Sequence, residues 1–261
     1  MTAYFTRLPH PDDQPARFRA TEHTSGAWAE TEQHIAPMVG LLVHEVERVV
    51  GDDGKVLGRL SMDIFGVIEV DDFEVAVEVV RPGRTIALVE ATVTRNGRTV
   101  VVARLWRLQP RDTSPVAGGA PAALPAPDSM PAWDMPGVWP GGFIRSVEVR
   151  RSPDARPGRG QAWLRTDLDL VEGEKASEIA RWAGLLDAAN GIVVRESPDT
   201  WLFPNVDLTL HLHRQPAGEW VGLDTTVVFG DDGLGVTESV LHDADGPVGR
   251  MAQVLTLRPR G

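Results

Sequence analysis

The sequence predicts an α+β fold made of two tandem units, each with a long helix wrapped by an antiparallel sheet. A helix followed by about four strands occurs in the first part of the chain and again, in the same order, in the second part. Hairpin signals stand at corresponding places, Asn96-Gly97 and Asp245-Gly246. A Pro-, Ala- and Gly-rich stretch separates the two parts. We therefore divide the chain into units 1–110 and 141–261, joined by a linker of residues 111–140.

In the first unit, apolar residues at helical spacing predict an amphipathic helix over 36–49, which ends at Gly51-Asp52-Asp53-Gly54. Residues 1–28 are expected to be a polar, Pro-rich N-terminus followed by a short lead-in. Strand patterns after the helix predict four strands, at 59–65, 73–80, 85–95 and 98–108.

The second unit is predicted to hold one strand before its helix and four after it. The helix is expected over 175–189, with Asn190-Gly191 as its stop, and Asp187 is interpreted as part of that helix terminus rather than as a catalyst. The strands are predicted at 161–169, 206–213, 220–229, 235–242 and 248–257. A small unit of this kind is marginally stable alone, and pairing two sheets edge to edge removes an exposed edge from each.

The composition excludes several classes of function. The 261 residues include no cysteine, so disulfides and thiolate chemistry are ruled out. The formal net charge of -11 argues against general binding of nucleic acid or of anionic membranes. No apolar run has the length of a signal peptide or of a membrane span, so a cytoplasmic location is expected. Exposed sheet edges would allow a homo-oligomer to form.

Two polar residues of the second unit are candidates for chemistry. Asp207 shares a strand face with Thr209, His211 and His213 while the alternate positions are apolar, a pattern typical of a solvated face. Gln253 instead shares its face with apolar residues. Because burying an unpaired amide costs roughly 1–3 kcal/mol, Gln253 needs a partner, which either a functional site or a backbone group can supply.

Three further sets of residues invite a functional interpretation. His211 and His213 could point to one face and bind a metal, but no third ligand stands at a suitable spacing, so neither a metal nor a cofactor is predicted. His34 precedes the first helix, where it either reaches a cleft or serves the helix entry. Arg81 and Arg84 flank a Pro-Gly turn and could meet phosphate groups, although surface arginines are usually solvated.

Three segments resemble the type II (TesB-like) acyl-CoA thioesterase family. The segment 73–108, with Val79-Val80-Arg81-Pro82-Gly83-Arg84, resembles the first hotdog unit of that family. The segment 205–214, which begins Asn205-Val206-Asp207 and is followed by Trp220, resembles the second hotdog unit, and 245–253 resembles its final hairpin. The resemblance covers residues 18–259 and implies a double hotdog fold.

The resemblance also implies an activity, the hydrolysis of acyl-CoA to the free acid and CoA without a cofactor. Such hydrolysis needs an activated water, stabilisation of a developing oxyanion and an apolar slot for the acyl chain. The family pattern implies a water-activating Asp at Asp207 and a Gln at Gln253. It implies a hydroxyl at a position that falls on Val228, with Thr226 nearby as the candidate. The expected substrate-binding residues are His34, Arg81, Arg84 and Thr209.

Two alternative functions remain open at this point. Val228 carries no hydroxyl, and Pro37 at the start of the first helix has no N–H for an oxyanion, which favours a non-catalytic acyl-CoA or lipid-binding protein on the same fold. A hotdog enoyl-CoA hydratase is the other alternative, because double hotdogs support that chemistry too. The Asp-x-Asn-Pro-apolar-His pattern usual in such enzymes is not evident.

Overall fold

The computed structural model describes residues 2–261, and 13 of its strands form a single sheet. The first unit contains β1 (Ala3–Leu8), β2 (Ala16–Ala20), α1 (Ile35–Val50), β3 (Val56–Ile64), β4 (Asp72–Arg81), β5 (Ile86–Arg95) and β6 (Arg98–Leu108). The second unit contains α2 (Gly142–Ser146), β7 (Val147–Arg151), β8 (Arg159–Thr166), β9 (Asp169–Val171), α3 (Glu178–Ala183), α4 (Ala189–Ile192), β10 (Trp201–Leu202), β11 (Asp207–Leu212), β12 (Val221–Phe229), β13 (Leu234–Asp243), β14 (Gly246–Thr256) and β15 (Arg258–Pro259).

The strand order in the large sheet is β7-β8-β12-β13-β14-β11-β3-β6-β5-β4-β2-β1-β9. The two units meet where β11 pairs antiparallel with β3, with Asp207 opposite Asp63. At the far edge, β9 of the second unit pairs parallel with β1 of the first unit. The pairing joins both units into one sheet and confirms the predicted α+β double hotdog architecture.

The core lies between the inner face of this sheet and the helices. Helix α1 buries its apolar side completely at Met38, Leu41 and Leu42, and each such side chain stabilises the fold by about 1.5–3 kcal/mol. A Cβ at Gly40 would lie 2.6 Å from the carbonyl oxygen of Ala180, so α1 and α3 can touch only where this residue is glycine. None of the helices in residues 2–261 has the length and apolar character that a membrane crossing requires.

The N-terminal segment is more ordered than the sequence predicts. Residues expected to form only a polar lead-in build β1 and β2, and the side chains of Phe5 and Phe18 are fully buried. In β2 the buried positions alternate with exposed arginines, Arg17 and Arg19. The alternation is only five residues long and follows Pro15, so it was too short to indicate a strand. The sequence predicted no strand in either segment.

The helix of the second unit is broken, whereas a single helix over 175–189 was predicted. Ser177 caps α3 by accepting the backbone N–H of Ala180 over 3.1 Å, and α3 ends before Gly184. A 3-10 turn, Leu186–Ala188, then leads into α4, so Asn190-Gly191 lies inside a helical turn instead of stopping a helix. The chain changes direction at this break, and Asp187, which lies in the 3-10 turn, is buried.

Candidate active site

The candidate active site is centred on the carboxyl group of Asp187. Its Oδ1 accepts a hydrogen bond from Nε2 of Gln253 over 2.6 Å and another from Nδ2 of Asn205 over 2.8 Å. Its Oδ2 lies 3.4 Å from Nδ1 of His34. The site therefore combines one residue from the start of α1 in the first unit with three residues of the second unit.

Burial controls the protonation of this carboxyl group. Removal from water raises the pKa of Asp187 to about 8, although the bonds from Asn205 and Gln253 act in the opposite direction. Because Oδ1 already accepts two N–H groups, the proton of the neutral acid sits on Oδ2. Asp187 is thus mostly protonated near neutral pH and becomes a base as the pH passes about 8. Strongly perturbed carboxyl groups in a cleft are typical of functional sites.

His34 has a fixed protonation state and a fixed orientation. Burial lowers its pKa to about 3, so the ring is neutral at physiological pH. Its Nδ1 accepts the backbone N–H of Ala36 over 3.2 Å as the N-cap of α1, which leaves the ring proton on Nε2. The ring also packs on Phe143, with centroids 4.2 Å apart. The Nε2–H group has no partner among residues 2–261 and can donate to a ligand.

The amide of Gln253 is held on the inner face of β14. The side chain is 1% exposed and lies across from Thr237 of β13. Its Nε2 makes one bond, to Asp187, so its second N–H is free among the described residues. Asn205 is more restricted, because its amide also donates to the carbonyl oxygen of Asp207 over 3.1 Å. Gln253 is therefore the amide that can also serve a ligand.

Two cavities meet at Asp187, His34 and Asn205. The outer cavity, of about 400 Å³, reaches the surface between the exposed side chains of Phe65 and Val67. The inner cavity, of about 40 Å³, extends the site toward buried apolar side chains, namely Met135, Trp139 and Ile144. The polar groups of Asp187, His34 and Asn205 therefore lie between the mouth of the outer cavity and the apolar side chains of the inner one.

The N-terminus of α1 offers one free backbone donor to the outer cavity. Pro37 has no N–H, and the N–H of Ala36 is bonded to His34. The N–H of Ile35 has no partner among residues 2–261, and Ile35 lines the outer cavity. The positive end of the dipole of this 16-residue helix adds to the local potential.

The outer face of the sheet carries Asp207, Thr209 and Thr226, which the sequence assigned to the site, and Val228, on which the hydroxyl position of the family pattern falls. Asp207 accepts the backbone N–H of Val254 over 2.6 Å. The side chain of Val254 is exposed, whereas that of the adjacent Gln253 is buried on the inner face. Thr226 accepts a hydrogen bond from Arg159 over 2.6 Å. The expected catalytic set of Asp207, Thr226 and Gln253 is therefore wrong. Strand alternation places Asp207 and Thr226 on the outer face of the sheet and Gln253 on its inner face.

The structure does not bring Arg81 and Arg84 to the cleft either. Both are exposed at the turn between β4 and β5, and Arg81 donates to the carbonyl oxygen of Ile86 over 2.9 Å. That turn lies at the end of the sheet where β3 begins, whereas the cleft lies beyond Ile64, where β3 ends. With a rise of about 3.3 Å per residue, the length of β3 separates them by roughly 25 Å.

The candidate metal ligands do not form a site. His211 and His213 are exposed on β11 and on the residue that follows it, and Nε2 of His213 lies 3.0 Å from the carbonyl oxygen of Pro247. Three ligand-type side chains do cluster elsewhere: His44, Glu45 and Glu174. There the guanidinium of Arg7 bonds to both carboxylates, each over 2.5 Å, so a cation of the protein already neutralises them.

Sequence reasoning missed Asp187 and Asn205 as site residues. Asp187 was assigned to a helix terminus because an unbroken helix was expected there. The signal that could have found it is local: Leu185, Leu186, Ala188 and Ala189 flank one carboxylate with apolar residues on both sides. Burying a carboxyl group among apolar side chains costs free energy, so its presence there indicates a functional site. Of the residues that the sequence singled out, the structure brings His34 and Gln253 to Asp187, and their participation in a reaction stays a prediction.

Comparisons with known proteins agree with this architecture. Residues 123–257 match the model of an acyl-CoA thioesterase C-terminal domain, and residues 24–108 match that of an acyl-CoA thioesterase N-terminal domain. A hot dog fold protein from Alicyclobacillus acidocaldarius is similar, with a TM-score of 0.78, 13% identity and coverage of 97% of this chain and 96% of that chain. Comparison with curated protein sequences gives no significant match.

Two mycobacterial structures are similar over the same length. Acyl-CoA thioesterase II TesB2 from Mycobacterium marinum superposes with a TM-score of 0.69 at 14% identity, and 97% of this chain and 96% of that chain are covered. The tesB protein of Mycobacterium avium subs paratuberculosis gives a TM-score of 0.71 at 13% identity, with the same coverage. At these identities the structural likeness establishes the fold.

Proposed function

The chain belongs to the acyl-CoA thioesterase family, and on this premise we propose that it hydrolyses acyl-CoA thioesters with Asp187 as the general base. The observation that carries the proposal is the buried carboxyl group of Asp187, which Gln253 and Asn205 hold at the meeting point of two cavities. A carboxyl group whose pKa is raised to about 8 is suited to take and return a proton near neutral pH.

In the proposed reaction a water molecule adds to the carbonyl carbon of the thioester while the ionised carboxylate of Asp187 takes its proton. The carbonyl oxygen becomes an oxyanion, which the N–H of Ile35 and the positive end of α1 stabilise. The free N–H of Gln253 orients the attacking water. The tetrahedral intermediate then collapses, the C–S bond breaks, and the proton on Asp187 passes to the departing sulfur of CoA.

His34 is proposed to bind the substrate rather than to carry the proton. Its low pKa keeps the ring neutral, so it is a poor general acid at physiological pH. Its Nε2–H group remains free to donate to the thioester or to the attacking water. Its Nδ1 lies 3.4 Å from Oδ2 of Asp187, but its single lone pair already accepts the N–H of Ala36, so the ring takes no proton from the carboxyl group.

The deciding experiment measures the release of free CoA thiol from a panel of short- to long-chain acyl-CoAs. We expect turnover in the wild type and a loss of about 10²-fold or more in Asp187→Asn, which keeps the shape but removes the base. Asp207→Asn is the matched control on the outer face and is expected to retain activity within about threefold. Full activity in Asp187→Asn would remove this mechanism.

A second candidate is hydration of an enoyl-CoA, because the structure places a histidine of one unit against a carboxyl group of the other. Such a pair could add water across a carbon–carbon double bond. Crotonyl-CoA separates the candidates, since hydrolysis releases thiol and leaves the double bond intact, whereas hydration consumes the double bond and releases no thiol. Binding of crotonyl-CoA with neither change would favour a non-catalytic binding protein.

A further inference from the structure

The linker between the two units is part of the site. Within it Met135 and Trp139 are almost fully buried, with 1% and 3% exposure. The indole Nε1 of Trp139 donates to the carbonyl oxygen of Gly191 in α4 over 3.0 Å. Both linker side chains line the inner cavity together with Asp187 and Asn190. The segment predicted to be a mere connection therefore closes one end of the cavity that begins at the candidate base.

Aromatic side chains pack together at this end of the cavity. The ring of Trp139 meets that of Trp28 edge to face, with centroids 5.1 Å apart, and that of Phe203 in the same way at 5.8 Å. Trp28 also packs edge to face on Phe203 at 5.0 Å. Edge-to-face pairs of this kind contribute about 0.5–1.5 kcal/mol each beyond the burial of the rings. Met135 completes the wall beside these rings.

The two cavities differ in what they can accept. CoA is large and carries phosphates, so only the outer cavity of about 400 Å³, which opens to the surface beside Arg258, can take its side of the thioester. The acyl group then extends from Asp187 into the inner cavity of about 40 Å³. The inner cavity has about a tenth of the volume of the outer cavity, so an acyl group that enters it must be short.

We propose that the linker residues Met135 and Trp139 restrict this protein to short-chain acyl thioesters, with Met135 setting the length limit. The inference rests on the proposed function for its reaction, but the length limit is a property of the cavity and can be measured by binding alone. Gly191 supports it geometrically, since a Cβ there would lie 3.3 Å from Cε of Met135 and 3.2 Å from Nε1 of Trp139. The wall thus leaves no spare room on the α4 side.

Two variants move the limit in opposite directions. Met135→Ala enlarges the inner cavity and is expected to raise kcat/KM for octanoyl-CoA relative to butyryl-CoA by about tenfold or more. Gly191→Ala adds one methyl group and is expected to lower kcat/KM for butyryl-CoA relative to acetyl-CoA by about tenfold. Met130→Ala is the matched control, because Met130 is a buried methionine of the same linker that does not line the cavity. Its chain-length profile is expected to equal that of the wild type.

Binding of 2-oxoalkyl-CoA analogues, which cannot be hydrolysed, completes the test. Tighter binding of the short analogues by the wild type, together with relatively tighter binding of the long analogues by Met135→Ala, supports the length limit. If no thioester is turned over in that case, only the proposal of hydrolysis fails. Turnover or binding that is equal for butyryl and octanoyl chains in the wild type overturns the length limit and leaves hydrolysis intact. Identical profiles of Met135→Ala and Met130→Ala likewise overturn it. Absence of both turnover and binding overturns both proposals.

Discussion

The side chain of Gln253 donates to Oδ1 of Asp187 over 2.6 Å, and this bond joins the last long strand of the sheet to the broken helix of the second unit. It explains why a Gln can stand on an otherwise apolar strand face, since its amide donates to a buried carboxyl group. The same bond lowers the pKa of Asp187 against the effect of burial. The position of Gln253 thereby controls how much of the carboxylate is available as a base.

Replacing this amide should therefore shift the pH dependence of the reaction. In Gln253→Leu the pKa of Asp187 is expected to rise above about 8, because one of the two bonds that favour the ionised form is lost. A hydrogen bond to a charged group is worth about 1.5–3 kcal/mol, so the rate at pH 7 should fall by about tenfold or more. The measurement is kcat/KM against pH. Gln215→Leu, which removes a bond to the carbonyl oxygen of Leu57, should leave that profile unchanged.

Thermal stability should report the same buried carboxyl group. The folded-state pKa of Asp187 is raised from 3.8 to about 8, so the stability that this group provides is complete below pH 3.8 and is lost as the pH rises to about 8. Asparagine does not ionise. The melting temperature of Asp187→Asn, relative to that of the wild type, should therefore rise by about 4 °C or more between pH 5 and pH 9. Parallel melting curves over this range would show that burial does not penalise the ionised carboxylate.

The two roles assigned to His34 can be separated by substitution. His34→Asn keeps a side-chain acceptor for the N–H of Ala36 but removes the Nε2–H group, whereas His34→Ala removes both. We expect the unfolding free energy of the Ala variant to lie about 1 kcal/mol below that of the Asn variant in urea titrations. Both variants should lose about tenfold in kcat/KM, because neither has the Nε2–H group in the position where the imidazole presents it. Wild-type activity in the Asn variant would restrict His34 to helix capping.

Among residues 2–261, Arg258 is the only arginine that lines the outer cavity. We expect it to contribute to CoA binding. Arg258→Ala is expected to raise KM for acyl-CoA by about two- to fivefold at low ionic strength, and the effect should shrink as salt is added. Arg84→Ala is the matched control, because Arg84 lies at the opposite end of β3 from the cleft. An equal change in KM for the two variants would place the phosphates elsewhere.

The sequence predicted the repeated units, the hairpins and Gln253 because each depends on local pattern. Turn residues and strand alternation are local properties, and a Gln among apolar residues is visible without knowing its partner. The same alternation indicates that Asp207 faces outward, which is where the structure places it. Only the resemblance to the family assigned Asp207 to catalysis.

Asp187 could not be predicted in the same way, because its role depends on tertiary structure. The break between α3 and α4 lies where this part of the chain packs against α1, and Gly40 and Gly184 let the two backbones approach there. A helical pattern contains no information about such a break. The burial of Met135 and Trp139 could not be predicted for the same reason. Both stand in a stretch without periodicity, and they are buried because the linker folds over the cavity.

The pairing of β3 with β11 has a consequence for how such a protein can evolve. A site that takes its histidine from one unit and its carboxyl group from the other would, in a dimer of identical units, occur twice and require every copy to keep both residues. Once the units are fused, each needs to preserve only its own half of the site. In this chain the first unit has an unbroken helix with His34 at its start, and the second has a broken helix with Asp187 at the break. Fusion thus permits the two units to differ in a way that a dimer of identical units cannot.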